Sequence, residues 1–238
     1  AALFCTCLVD QFLPEVGEAT VRVLKRLGVE LEFPQQQTCC GQPLFNNGFH
    51  TEAIRLARRT IPIFEGYDYV VIPSGACGLL LMVVYPERLS LEKACSVWAR
   101  AFSQKVFELS QFLVGVLGMR DVGSGLKGTV TYHDSCHLLR GLKVGEEPRQ
   151  LLSAIPGVEL REMEDPENCC GFGGSFAAKL PEVSGAMLDV KLASAQSTGA
   201  DYLVACDAGC LLQIGGGLAR REGSPKPLHL AQALAWRD

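Results

Sequence analysis

The sequence predicts an α/β fold of two pseudo-symmetric domains, each a small parallel sheet flanked by helices. Two observations carry this. Strand-like and helix-like segments alternate along the 238 residues, the pattern of parallel sheets covered by helices. The sequence is also duplicated. Asp68-Tyr69-Val70-Val71 is matched by Asp201-Tyr202-Leu203-Val204, Cys39-Cys40-Gly41 by Cys169-Cys170-Gly171, and Lys105-Val106-Phe107-Glu108-Leu109 by Lys226-Pro227-Leu228-His229-Leu230. The spacing between matched segments drifts, so the halves differ by loop insertions. A period above roughly 100 residues means two domains rather than a solenoid. The boundary is expected in the glycine-rich stretch 118–128, giving domains 1–122 and 123–238.

In chain order, the apolar residues 3–9 are expected as the first strand. Residues 15–27 place Val16, Ala19, Val23, Leu24 and Leu27 on one helical face, and Gly28 suits the helix end. A strand at 29–33, the Cys39-Cys40 loop, a helix at 51–64, a strand at 69–73 and a helix at 91–106 follow. The second half repeats the order: strand 129–133, helix 148–154, strand 158–163, the Cys169-Cys170 loop, helix 182–198 and strand 202–206.

With 48% hydrophobic residues, the chain can bury one large core or two smaller ones. A net charge of −4 gives no sign of nucleic acid or an anionic membrane as partner. No apolar run reaches the roughly 18 residues of a membrane span. The apolar start lacks a basic flank and a cleavage site, so it reads as a strand rather than a signal peptide. The 11 cysteines are odd in number and accompany no export signal, which favours a reducing cytosol and metal-binding or catalytic thiols over a disulfide framework.

Eight cysteines form two matched sets, Cys7, Cys39, Cys40 and Cys77, then Cys136, Cys169, Cys170 and Cys210. All are expected at or beyond the C-terminal ends of strands, which in an open parallel sheet share one edge. Thiolates gathered there suit a soft metal or an iron–sulfur cluster. Zinc is the chemical rival, and oxidised pairs are a third state. Gly41 and Gly171 permit the turn that adjacent ligands need, and loop amides could donate to sulfur.

The remaining polar residues divide as follows. Cys5, alternating with Cys7 on a strand, is expected to be a small buried hydrophobe. Cys95 reads as helix core, and Cys206 as an accessory neighbour of Cys210. His133 and His137 flank Cys136 and could donate to sulfur, carry a proton or cap the loop. Asp134 is expected to cap the following turn, and His50 and His229 to be structural. The acidic run Glu162, Glu164, Asp165 and Glu167 reads as a solvated loop, with a docking surface as the sharper option. Phe172 and Phe176 are expected to shield the second site. No phosphate-binding glycine fingerprint follows a strand, Gly215-Gly216-Gly217 is only a short glycine run, and no nicotinamide or flavin site is evident.

Six segments carry a family resemblance: residues 6–12 around Cys7, Thr38-Cys39-Cys40-Gly41-Gln42-Pro43, Pro73-Ser74-Gly75-Ala76-Cys77, His133-Asp134-Ser135-Cys136-His137, Cys169-Cys170-Gly171-Phe172-Gly173-Gly174 and Gly209-Cys210-Leu211. On these the chain resembles the lactate-utilisation protein A family. That family lies within the wider cysteine-rich CCG group, which includes the CCG-containing subunit of heterodisulfide reductase and the iron–sulfur subunit of glycolate oxidase. The resemblance implies an iron–sulfur electron-transfer subunit of a complex oxidising L-lactate to pyruvate, cytoplasmic or at the membrane only through partners, and acting with other iron–sulfur subunits. It also implies an oxidoreductase role exercised through those partners. The fuller CCG pattern ends in Cys-x-x-Cys; here Ser74 and Asp207 stand at the earlier position of that pair. Four aligned thiols per repeat suit one [4Fe–4S] cluster each, and Asp207 could add a fifth ligand in the second repeat. The alternatives are a thiol/disulfide reductase subunit working through its cluster and a non-redox zinc scaffold.

Overall fold

Seven short strands form two parallel sheets in the computed structural model, which describes residues 1–89 and 93–237. The side chains of residues 93–96 also lie outside the described set, and with them the expected core placement of Cys95. The first sheet holds β1 (Ala2–Leu3), β2 (Val70–Ile72) and β3 (Val106–Glu108) in the order β1-β2-β3. The second holds β4 (Gly128–His133), β5 (Val158–Leu160), β6 (Tyr202–Ala205) and β7 (Lys226–His229) in the order β5-β4-β6-β7. Where the second half has β5, the first has only an isolated bridge, Ala2 to Glu32. With that bridge counted, the two halves share one strand order.

The registers confirm the duplication residue by residue. Val70 pairs with Val106, and Leu203 with Pro227, as the matched segments require. Ala2 pairs with Val70, and Thr131 with Leu203, so Phe4 is equivalent to His133, Thr6 to Ser135 and Cys7 to Cys136.

Several expectations are corrected. Residues 3–9 do not form one strand: β1 ends at Leu3, and a helix runs Cys7–Phe12, because the Thr6 hydroxyl accepts from the Val9 amide and starts a turn there. The strand at 29–33 reduces to the single bridge. The helix expected at 91–106 is described over Lys93–Ser103, and residues 106–108 are β3. Unforeseen helices follow the cysteine-bearing turns, including Gly75–Leu79, His137–Leu142 and Ala208–Leu218. The glycine run at 215–217 lies inside the last of these. A Cβ on Gly217 would come within 2.6 Å of Leu192, so the glycine admits close helix packing. The helices Pro14–Arg26, His50–Ile63, Glu146–Ser153 and Pro181–Ser197 fall where expected.

The halves share a core. One buried cluster draws Val9, Val23 and Leu113 from the first half together with Val130, Leu151 and Leu234 from the second. Two further clusters fill the halves separately, one around Phe4, Phe64 and Phe102, the other around Leu192, Leu203 and Ile214. Arg26 fastens the joint, its guanidinium donating to the carbonyls of Val122, Gly123, Leu234 and Ala235.

Glu108 and His229 are equivalent residues, each the N-cap of a helix and each closing a capping box with a glutamine, Gln111 or Gln232. Both are fully buried. Burial lifts the Glu108 carboxyl to about 7 and pushes the His229 imidazole down to about 4. Glu108 therefore folds protonated where the unfolded chain has it ionised. Its contribution is whole below the ordinary carboxyl range and is lost as pH rises through about 7. His229 acts on the other side, opposing folding as pH falls from the ordinary histidine range towards 4. Glu108→Gln keeps an acceptor for the Ser110 amide without the charge. It should unfold with wild-type stability near pH 4 and be more stable by up to about 3 kcal/mol at pH 8. Urea midpoints across that range measure this.

Candidate metal centre

The parallel order sends the chain out at the C-terminal ends of the strands, and there each half gathers four sulfurs. In the first, Cys7 opens the helix after β1, Cys77 sits in the helix after β2, and Cys39-Cys40 arrive on the loop between. The sulfurs pair as Cys40 with Cys77 at 3.1 Å and Cys7 with Cys39 at 3.6 Å. Cys40 and Cys77 are buried, whereas Cys7 and Cys39 are half-buried. The second half repeats the division: Cys170 and Cys210 are buried and in contact, and Cys136 and Cys169 are half-buried and in contact. Each set thus has an inner pair and an outer pair.

The loop geometry also repeats. Gly41 and Gly171 both adopt positive φ, 96° and 85°, and their amides point at Cys39 and Cys169 sulfur, 3.4 Å away in each case. A Cβ on Gly171 would lie 2.5 Å from the Ser184 carbonyl oxygen, so both conformation and space demand glycine. The Tyr85 hydroxyl holds the first loop through the Cys40 carbonyl at 2.6 Å, and the Ser184 hydroxyl holds the second through the Gly171 carbonyl at 2.8 Å.

A single carboxylate ties the two sets together. Asp207 caps the helix carrying Cys210 by accepting from the Gly209 amide at 3.0 Å. Its other oxygen accepts from the Ser74 hydroxyl and from the Ala76 amide, both at 2.9 Å, and Ser74 in turn accepts from the Cys77 amide. The two residues that replace the earlier cysteine of Cys-x-x-Cys therefore bond to one another across the pseudo-symmetric interface. Both Asp207 oxygens are occupied in this way, a different task from the fifth ligand it could have added.

Without a cation, the sulfurs cannot all ionise. In the first set, hydrogen bonds from Cys40 and Cys7 draw Cys39 well below the ordinary thiol range, and the same bonds push Cys7 and Cys40 up. In the second, Cys169 is drawn down by Cys136 and Cys170, which are pushed up. Cys210 is also drawn down, to about 6, by its hydrogen bond with Cys170 and then by His133, against its burial. A thiolate held by neighbouring thiols is what crowded like charges allow. A bound soft cation would remove that limit and release the remaining protons. Four sulfurs in contact, with a glycine amide aimed at one outer sulfur of each set, form a donor set that fits such a metal or an iron–sulfur cluster.

Neighbouring residues fall as follows. Cys206 is buried, but it packs in the shared core with its sulfur 3.3 Å from the Tyr132 hydroxyl, and is not brought to Cys210's cluster. Cys5 precedes the Thr6 cap, half-buried against the shared core with its thiol pushed up to about 11 by burial. Asp134 does not cap a turn; it forms a bidentate pair with Arg149 at 2.9 and 2.7 Å, and Arg149 also binds Glu162. The acidic run is not simply solvated. Besides Glu162, its backbone at Asp165 and Pro166 is held by the buried Lys191 ammonium. The Phe172 ring lies over Gly209, where a Cβ would come within 2.7 Å, and packs against the cluster that holds Cys170 and Cys210. His50 stacks on Phe45 and His229 is a helix cap, both structural. His137 begins its helix half-buried. His133 is buried and caps nothing. The Ser74–Asp207 bond is the functional contact the sequence hides, although their alignment in the repeats is the available signal.

Comparison with known proteins agrees with this architecture. Residues 1–82 and 130–215 match the family described as CCG, cysteine-rich domain. "Lactate utilization protein A" of Bacillus pumilus (strain SAFR-032) is 46% identical over 232 residues, covering 98% of this chain and 97% of the relative. The protein of the same description from Geobacillus sp. (strain WCH70) is 45% identical over 234 residues, covering 98% of each. Among solved structures, a hypothetical protein from Helicobacter pylori superposes with a TM-score of 0.61 at 12% identity. It covers all of this chain, which spans 49% of that one, and the likeness shows the fold alone.

Proposed function

The chain belongs to the cysteine-rich CCG-domain family and, within it, to the lactate utilization protein A family, and on that footing we propose that it is an iron–sulfur electron-transfer subunit of a system oxidising L-lactate to pyruvate. The observation that carries this reading is the twofold recurrence of one four-thiol arrangement, with the same inner and outer pairs and the same glycine amide on the outer sulfur. Cys7, Cys39, Cys40 and Cys77 would hold one cluster, and Cys136, Cys169, Cys170 and Cys210 the other. When bound, such a cluster takes up and releases single electrons. The chain's own residues set the conditions: Gly41 and Gly171 donate to sulfur, Phe172 keeps water from the second set, and the half-buried outer cysteines face the side from which a partner exchanges electrons. Removal of electrons from lactate falls to partner subunits carrying further clusters. No helix among the described residues is long and apolar enough to cross a membrane, so membrane contact, in this reading, comes through those partners.

Sulfur spacing supports a second reading. In the first set the separations within the two pairs, 3.6 and 3.1 Å, are nearer the roughly 3.8 Å edge of a tetrahedral zinc–thiolate site than the outline of a bulky cluster. Anaerobic purification with iron, sulfide and zinc quantification separates the two. About eight irons per chain, with matching sulfide, is the expected result. Stoichiometric zinc, with iron absent even after reconstitution, defeats the cluster reading.

A further inference from the structure

Besides Ser74 and Asp207, the two sites differ at a buried position ahead of their first cysteines. Sheet register makes Phe4 and His133 equivalent, each the residue leading from the first strand of its half towards the cysteine-bearing turn. Phe4 packs in the core of the first half. His133 is equally buried, with no solvent exposure, yet apart from its contact with the Cys210 sulfur neither Nδ1 nor Nε2 has a hydrogen-bond partner. Buried imidazoles are ordinarily satisfied by nitrogen or oxygen partners, so one left with sulfur alone needs a reason. Its surroundings supply one: a ring nitrogen of His133 and the sulfurs of Cys170 and Cys210 all lie within 4.8 Å of one another. These are the two inner, buried thiols of the second set.

We propose that His133 is a nitrogen ligand at the second site, joining Cys170 and Cys210, whereas the first site is bound by thiolates alone. The inference rests on the metal-binding reading above and specifies its donor set. Neutral imidazole binds iron, zinc and other borderline metals through a bare ring nitrogen. In exchange for the absent hydrogen bonds it would gain a metal bond, and the buried polar group would be satisfied. With four thiols and one imidazole, the second site has one donor more than the four outer corners of a cubane cluster. One corner then takes two protein ligands, or one thiol stands free. Where a thiol stands free, exchanging an anionic thiolate for a neutral nitrogen makes a centre easier to reduce. In that case the second site fills with electrons first, giving the duplicated scaffold a direction that its symmetry would otherwise lack.

The test labels the full chain with 15N-histidine, reconstitutes it anaerobically, reduces it with dithionite and records pulsed electron paramagnetic resonance. A strong, directly bonded 15N coupling is expected. It should persist in His137→Gln and vanish in His133→Phe, which copies the first site, and in His133→Asn, which keeps a polar group should the phenylalanine variant not fold. Iron with no 15N coupling, with only the weak coupling of a hydrogen bond to sulfur, or with a coupling that survives loss of His133, overturns the proposal while leaving the cluster reading intact. A chain that takes up no iron defeats the cluster reading instead. Co(II) loaded in its place then puts the donor question in the same measurement, and an uncoupled cobalt spectrum overturns the proposal.

Discussion

Asp207→Ala should weaken both cysteine sites at once, although Asp207 lies in the second half and holds no metal in our reading. Its carboxylate accepts from Ser74, Ala76 and Gly209, all in buried or partly buried surroundings. Alanine leaves two amides and a hydroxyl without their acceptor. Hydrogen bonds to a charged group contribute about 1.5–3 kcal/mol each, and the orphaned donors add their own desolvation. A total loss of about 3–5 kcal/mol follows once relaxation is allowed for, lowering the melting temperature by roughly 10 °C in a chain of this size. The local consequence is more telling than the global one. Ser74 positions the Cys77 amide and Asp207 caps the helix bearing Cys210, so the buried inner thiols of both sets lose their anchorage together. Iron per chain should fall at both sites. Asp207→Asn should fall between the alanine variant and wild type, because its amide oxygen can still accept but its NH2 group faces the Ala76 and Ser74 donors. Iron lost from the second site alone would mean that the cross-interface bonds do not transmit anchorage, and metal analysis of the folded fraction decides it.

That bond is legible in the sequence only in part. The gapless alignment places Ser74 and Asp207 at one repeat position, but equivalence in sequence says nothing of contact in the molecule. Contact arises because the halves pack about their pseudo-symmetry axis, bringing equivalent helix starts together. Gly75 makes the approach possible: a Cβ there would lie 2.7 Å from that of Leu138. By contrast, the cysteine sets are readable, because strand ends in a parallel sheet share an edge whatever the loop lengths between them. The long amphipathic helices are readable from their apolar spacing. The short elements are not. A strand of two or three residues, such as β1 or β3, carries too few positions for a period of two to show. The helix at Cys7 is hidden because Leu8 and Val9 continue an apolar run that begins before the Thr6 cap. The cap, not the hydrophobicity, decides where the strand stops. His133 shows the same limit from another side. Its neighbours in sequence suggest a role at Cys136, but the sheet turns its ring towards Cys170 and Cys210.

Cys40→Ser and Cys170→Ser should each remove one site's iron and spare the other, leaving about half the wild-type content. The replaced sulfur is an inner, buried one in both cases, at 1% and 3% exposure, so water cannot readily take its place. Serine is a poor ligand at this position because its hydroxyl stays protonated where a thiol ionises on binding metal. The fold should change little, since the serine hydroxyl can donate to the sulfur that Cys40 now meets at 3.1 Å. Substituting an outer cysteine tests the division within a set. Cys39 and Cys169 are half-buried, and solvent can reach the vacated position, so Cys39→Ser and Cys169→Ser should retain more iron than their inner counterparts. The comparison with Asp207→Ala completes the logic. If an inner-cysteine variant empties both sites, the clusters rather than the carboxylate link the halves; if only Asp207→Ala does so, the link is the hydrogen-bonded bridge between the two helix starts. Iron and sulfide per chain, measured on folded, anaerobically reconstituted protein, distinguish these outcomes.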